Sequence, residues 1–371
     1  MKKQTILFTA SLVASLTLLA QQAIPLDTAH WDIRATSYLF EPMLGSEAIY
    51  LQGGSITYKG EDFMNGTIEF DILLKEEQAF PGLYFRIQDN GDAEHFYIRP
   101  HLSGKPDANQ AAPVTQGVTP WQLCFGPKYS FPYTYQYDFW THVKILVHGS
   151  RAQVFLDHSN KAQLSWNLFH PLSRGKVSIR GGNRSGMHLA NIVINHDIPD
   201  IEDFQPIERA PMEGLVQEWE LSDKFEEAAL DDPSMIQSII KQRKWKNRVQ
   251  VEEGTAANIS RKVQLRDSNP GNTVFARITI HAESEQIKLF HFGYSDRVVA
   301  ILNDFPIYRG TNDYRSRDYR YLGTIGLFDS IYLPLKKGKN TLLMAVSEDF
   351  GGWLITGRFE DSSGIEIRER K

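Results

Sequence analysis

Short runs of alternating polar and apolar residues, separated by turn dipeptides, constrain this chain more than any other feature. Val143-Lys144-Ile145-Leu146-Val147-His148 alternates, Gly149-Ser150 follows, and Arg151-Ala152-Gln153-Val154-Phe155-Leu156-Asp157 alternates again. Side chains two apart on a strand share a face, so each run offers one apolar face to a core and one polar face to water. The Gly-Ser pair between the two runs reads as a hairpin turn. Thr67 to Leu73 repeats the pattern, and Leu83 to Ile87 and His95 to Arg99 flank Asp89-Asn90-Gly91-Asp92, a second hairpin signal. Across residues 27–197 no stretch holds a helical period. Many short strands at close spacing predict a β-sandwich.

A break follows. Asp197-Ile198-Pro199-Asp200, Pro206, Pro211 and Gly214 read as a linker over 198–213. Beyond it, over 214–361, one helix is expected. Asp232 suits an N-cap, Pro233 suits the first helical position, and Met235, Ile236, Ile239 and Ile240 form an apolar stripe. Otherwise strand patterns return at Val274 to Ile280, Gln286 to Gly293, Arg297 to Leu302, Phe305 to Tyr308, Ile331 to Leu335, Thr341 to Val346 and Trp353 to Phe359. The expected architecture is all-β: two β-sandwich (jelly-roll) domains in tandem, with one short helix in the second. The charged tail, Ile365 to Lys371, is expected to be loose.

The first twenty residues read as a signal peptide. Lys2 and Lys3 form a basic start, Ile6 to Leu19 an apolar run, and Ala20 a cleavage point. The run is too short for a comfortable membrane span and no later segment could cross one. The chain is therefore expected to be exported, to the periplasm or the exterior. Cleavage takes away two lysines and no acids, so the net charge of −5 becomes −7. That balance argues against nucleic acid, which demands a basic face. Cys124 is the only cysteine, so no intrachain disulfide can form, and an apolar packing role is the expectation for it.

Two resemblances attach to these patterns. Trp31-Asp32-Ile33, Gly66 to Ile72, Gly82-Leu83-Tyr84-Phe85-Arg86, Trp140-Thr141-His142-Val143-Lys144 and Ala152 to Asp157 resemble the concanavalin A-like lectin/glucanase superfamily, in particular its bacterial laminin-G-like members. Gly293-Tyr294-Ser295-Asp296-Arg297-Val298, Leu302-Asn303-Asp304, Leu335 to Leu342 and Gly351-Gly352-Trp353 resemble the galactose-binding-like jelly rolls appended to many secreted glycosidases. The first resemblance implies a sandwich that can hold a glycan. Both motif sets serve folding, so they imply shapes before ligands.

Retaining glucanases of that superfamily carry a Glu-x-Asp-x-(x)-Glu strand. Here Glu69 and Asp71 fit, but Leu73 and Leu74 stand where the third carboxylate belongs, and Glu76 is too far along. A retaining pair needs carboxylates about 5–5.5 Å apart, and this strand does not supply one. No catalytic residue is therefore assigned. Zinc spacings, phosphate loops and Gly-x-Ser-x-Gly elbows are missing from the sequence, and no metal or cofactor is expected. Asp89, Asn90 and Asp92 would suit calcium oxygens, but a hairpin turn explains them better.

The segment from Glu94 to Gln122 is the better candidate. Its strand places Tyr97, Arg99 and His101 on one face, and Tyr84 and Arg86 reach that face from the neighbouring hairpin strand. About twenty residues after it lack a period, and loops that long are usually functional or disordered. Rings cover the apolar faces of a pyranose, and planar polar groups take its hydroxyls. The expected ligand site comprises Tyr84, Arg86, Glu94, Tyr97, Arg99, His101, Asp107, Gln110 and Trp121, with carbohydrate as the partner. A second reading is a glycan-active hydrolase or lyase with Glu94 or Asp107 as acid/base and His101 as helper. A third is an adhesion or structural module that meets a protein through Arg315, Arg317, Arg320 and Tyr321.

Overall fold

The alternating segments pair as their periods require. In the computed structural model, residues 22–182, 186–210, 212–314, 316 and 324–368 are described. The signal segment lies outside them, as do Arg315, Arg317, Arg320 and Tyr321. Thirteen strands build the first sandwich: β1 (Trp31–Arg34), β2 (Ser37–Met43), β3 (Ser46–Gln52), β4 (Ser55–Tyr58), β5 (Gly66–Leu73), β6 (Gly82–Ile87), β7 (Ala93–Ile98), β8 (Asn109–Val114), β9 (Trp140–His148), β10 (Arg151–Leu156), β11 (Leu164–Asn167), β12 (Lys176–Arg180) and β13 (Met187–Asn195). They form a six-stranded sheet in the order β1-β4-β12-β6-β7-β8 and a seven-stranded sheet in the order β11-β10-β9-β5-β13-β3-β2. Every pairing within the two sheets is antiparallel.

The inner faces meet in one core. Ile56, Leu83, Phe85, Phe96 and Ile179 come from the smaller sheet; Ile68, Phe70, Val143, Ile145, Val154 and Trp166 come from the larger. The expected hairpins are present, with β9 and β10 joined at Gly149-Ser150 and β6 and β7 joined across 88–92. β8 is a strand where a long irregular loop is expected. Its six residues are all buried, so it shows no polar alternation. It forms an edge of its sheet, and the Ala111 amide donates to the Tyr129 carbonyl at 2.8 Å, so a following loop covers that edge.

The second sandwich is an eleven-stranded sheet folded around its own core, which contains Trp219, Phe290, Phe292, Tyr294, Met344, Trp353 and Ile355. Helix α1 (Ile236–Gln242) lies beside a smaller cluster of Phe225, Phe275, Ile301 and Leu343. Asp232 accepts from the Ser234 amide at 2.9 Å and caps the turn that leads into the helix. The tail departs from expectation: Ile365–Arg368 pairs with Thr279–Ala282 as a further strand. Its alternating isoleucines, Ile365 and Ile367, let it add to the sheet despite the surrounding charge. No helix among the described residues is long and apolar enough to cross a membrane.

The two sandwiches share a wedge, the loop that follows β8. Gln122 holds it: its Oε1 accepts the Gly352 amide at 3.0 Å, its amide donates to Ser295 Oγ at 3.2 Å, and its carbonyl accepts from Ile325 at 2.9 Å. A Cβ on Gly351 would run into the Gln122 amide, so glycine permits this approach. Lys128 pairs with Glu253 at 2.8 Å, and Arg209 lies 4.2 Å over the Phe125 ring.

Candidate functional site

The expected site residues divide between the two faces of β7. Phe96 and Ile98 point into the core, and Glu94 shares their parity. Glu94 is 1% exposed, and its carboxylate accepts from the amides of Phe169 at 3.0 and 3.1 Å and of His170 at 2.9 Å. His170 Nδ1 donates to the same group at 3.2 Å. Glu94 thus fixes the backbone of the 169–170 loop, and its oxygens are taken up by that task.

Arg86 is on the same side for a different reason. Its φ of +53° and a register shift between β6 and β12 break the alternation that would carry it beside Tyr84. The guanidinium turns instead to the end of the sandwich. It donates to the Met64 carbonyl at 2.8 and 2.5 Å and to the Gly149 carbonyl at 2.7 Å. Burial lowers its pKa, and Glu94 opposes that shift.

Between these groups opens a cleft of about 440 Å³, lined by Arg86, Gln88, Asp89, Asn90, Asp92 and Glu94 from the β6–β7 hairpin and by His170 to Ser173 from the facing loop. Asn90 and Asp92 shape the turn themselves: the Asp92 amide donates to Asn90 Oδ1 at 3.0 Å, and the Asn90 amide group donates to Asp92 Oδ2 at 2.9 Å. Asp92 Oδ1 also accepts the Gln116 amide at 2.7 Å. Arg86 Nη1 and His170 Nε2 are buried in the wall of this cleft without a hydrogen-bond partner, the second 3.9 Å from Asp92 Oδ1. The second sandwich braces the far wall, where Arg261 donates to the Phe169 carbonyl at 3.2 Å.

The opposite face of β7 carries a stack. The Tyr84 ring lies 3.9 Å from the His95 ring at 7°, and the His95 ring 4.7 Å from Tyr97 at 16°. Arg99 extends the row, 4.9 Å over Tyr97. Its Nη2 donates to the Tyr97 hydroxyl at 2.7 Å and also to Gln110 Oε1. Gln110 is held beneath the wedge loop, donating to the Trp121 carbonyl at 2.9 Å and to the Cys124 carbonyl. His95, Tyr97 and Gln110 are all buried. Burial, then Arg180 and Arg99, push the His95 imidazole down to about 3, and neither ring nitrogen has a partner. Burial raises the Tyr97 phenol to about 12.

The remaining expected residues lie at the margins. His101 follows β7 in a single turn, its ring 5.4 Å from Phe80. Asp107 is exposed beside Arg99, its Oδ2 3.8 Å from Nη1. Trp121 turns away from the stack and packs at 5.2 Å against Phe350 of the second sandwich. The sequence reading missed His95, Gln88 and the loop 170–173. His95 sat within the quoted strand, in the same parity as Tyr97; nothing in the sequence ties the 170–173 loop to a hairpin some eighty residues earlier.

On the larger sheet, Glu69 and Asp71 do share an outer face. Both are engaged by His142, at 3.3 and 2.6 Å. Burial opposes the imidazolium, but the bonds to Asp71 and Glu69 prevail and lift it to about 9. Among the described residues, no group of three or more His, Cys, Asp or Glu side chains is placed to hold a metal ion.

No protein-family model matches the chain. No curated protein matches it either. Among solved structures it is similar to the carbohydrate binding module CBM66 from Bacillus subtilis, at 12% identity and a TM-score of 0.34 over 45% of this chain and 95% of that one. It is similar to the Bacillus licheniformis beta-glucanase, at 10% identity and 0.36 over 48% and 96%. A third likeness is to the Caenorhabditis elegans galectin LEC-6, at 16% identity and 0.29 over 44% and 100%. No residue's role is taken from any of them.

Proposed function

We propose that the protein is exported and binds carbohydrate, with its primary site in the cleft between the β6–β7 turn and the 170–173 loop. The observation that carries this reading is the pair of unmet polar atoms there, Arg86 Nη1 and His170 Nε2, beside the carboxylate of Asp92. A buried polar atom left without a partner costs about 1–3 kcal/mol, so a ligand that offers an acceptor to Arg86 Nη1 and a hydroxyl proton to His170 Nε2 recovers that energy. Sugar hydroxyls both donate and accept, which matches a wall that mixes carboxylates with guanidinium, imidazole and amide groups. Exposed Leu172 at the rim gives cover for a ring's C–H face. The cleft volume lies within the ~300–1,000 Å³ range of small-molecule sites.

Charge selects among sugars. Asp89, Asp92 and Glu94 outnumber Arg86 as fixed charges in the lining, so uronic and sulfated glycans meet repulsion and neutral ones do not. A glycan array probed at pH 7 tests the reading. The expected result is retention of neutral glycans, with free neutral monosaccharide competing. Binding to no glycan, or to acidic glycans alone, contradicts it.

A further inference from the structure

The four sheet edges of the first sandwich are not treated alike. β1 is four residues long and shows Asp32 and Arg34 to solvent. β8 is covered by the loop at Tyr129. β11 is also four residues long, with Leu164 and Trp166 buried. Short length, charge and cover are the usual ways of blunting an edge. β2 has none of them over Ser37 to Phe40. It is seven residues long and pairs only with β3 among the described strands. Tyr38, Leu39 and Phe40 are 46%, 55% and 39% exposed, so both faces of the strand project apolar side chains into solvent. Charge and proline come only at its end, as Glu41 and Pro42.

We propose that β2 is the dimer interface of this protein, pairing antiparallel with β2 of a second copy so that the two seven-stranded sheets become continuous. The sequence of the strand favours its own copy as occupant. With the two-fold axis at Leu39, Leu39 faces its counterpart, Tyr38 faces Phe40 twice, and Ser37 faces Glu41 twice. Tyr38 and Phe40 already meet edge to face at 5.7 Å within one chain, so the pairing gathers four rings on one face. It also keeps the two Glu41 carboxylates apart, and each stays free to bond its own His188 at 2.9 Å. Moving the axis to Phe40 sets Glu41 against Leu39, which strands a charge beside an apolar side chain.

Sedimentation equilibrium of the intact protein tests this. A concentration-dependent dimer is expected, with Leu39→Lys weakening it at least about tenfold by facing two ammonium groups across the axis. Leu39 is exposed, so at concentrations where both proteins are monomers that variant should keep the wild-type thermal midpoint. Leu39→Cys gives a gain of signal. Directly opposed strand residues have Cα atoms about 4.5–5.5 Å apart, within disulfide reach, and mild oxidation should yield a covalent dimer. The native Cys124 is buried and does not compete. A monomer at every concentration up to about 1 mM, or a dimer that Leu39→Lys leaves intact, overturns the proposal. So does a monomer that co-sediments with phosphatidylcholine vesicles through Leu39, which would assign the edge to a membrane surface.

Discussion

The two faces of β7 carry similar side chains and meet different fates. On one side, Glu94 and Arg86 border an open cleft where two polar atoms have no hydrogen-bond partner. On the other, Tyr84, His95, Tyr97 and Arg99 stack on one another and sink beneath the wedge loop. Composition alone would favour the second face for a sugar, since it holds the rings. The structure uses those rings mainly for packing. A row of aromatic and cationic groups is a binding surface only if nothing in the chain covers it, and here Gln110 ties the row to the loop that joins the sandwiches.

The sharpest way to break this contrast is Glu94→Ala. It releases two backbone amides and one imidazole in a buried place, and we expect a loss of about 3 kcal/mol in chemical denaturation. A change below about 1 kcal/mol would show that the 169–170 loop does not depend on it.

At moderately acid pH a comparable effect comes from the stack. The folded state keeps His95 neutral down to about 3, whereas the unfolded chain takes up a proton near 6.5. This stability is full above about pH 6.5 and falls as pH drops towards 3, by about 1.4 kcal/mol per pH unit. His95→Gln should remove that slope. A variant as acid-sensitive as the wild type would place the His95 ring in water.

His142 works in the opposite direction on the larger sheet. Its raised pKa gives stability that is full below about 6.5 and fades as pH rises through about 9. His142→Gln should flatten that alkaline limb, by about 1 kcal/mol at most since the carboxylates are partly solvated. Arg99→Ala should cost a similar amount, about 1 kcal/mol of stability, from the loss of its bonds to the Asp107 carbonyl, Tyr97 and Gln110.

Much of the fold was legible because one-sided strands announce themselves. β9 alternates as a half-buried strand must, and β7 alternates polar and apolar residues in sequence from His95 to Ile98 although all six of its residues are buried. β8 was not legible: it is buried throughout like β7, but its Asn109-Gln110-Ala111-Ala112 run carries no polar–apolar beat. The tail misled for a related reason, since charged residues interrupt a short isoleucine alternation. Within the candidate site, parity was read correctly for Tyr84, Tyr97 and Arg99. It failed at Arg86, where a left-handed residue and a bulge flip the side chain, and no residue type in the sequence marks that bulge. The contact of Trp121 with Phe350 joins residues far apart in the chain, and local pattern carries no trace of it.

Calorimetric titration of the best array glycan into three proteins tests the central claim most directly. Asp92→Asn changes the cleft, and Arg99→Ala changes the stack. The account predicts that Asp92→Asn weakens binding at least about tenfold, or 1.4 kcal/mol, while Arg99→Ala leaves it within about threefold of wild type. Binding lost with Arg99→Ala and kept in Asp92→Asn would contradict the account and return the site to the stacked face.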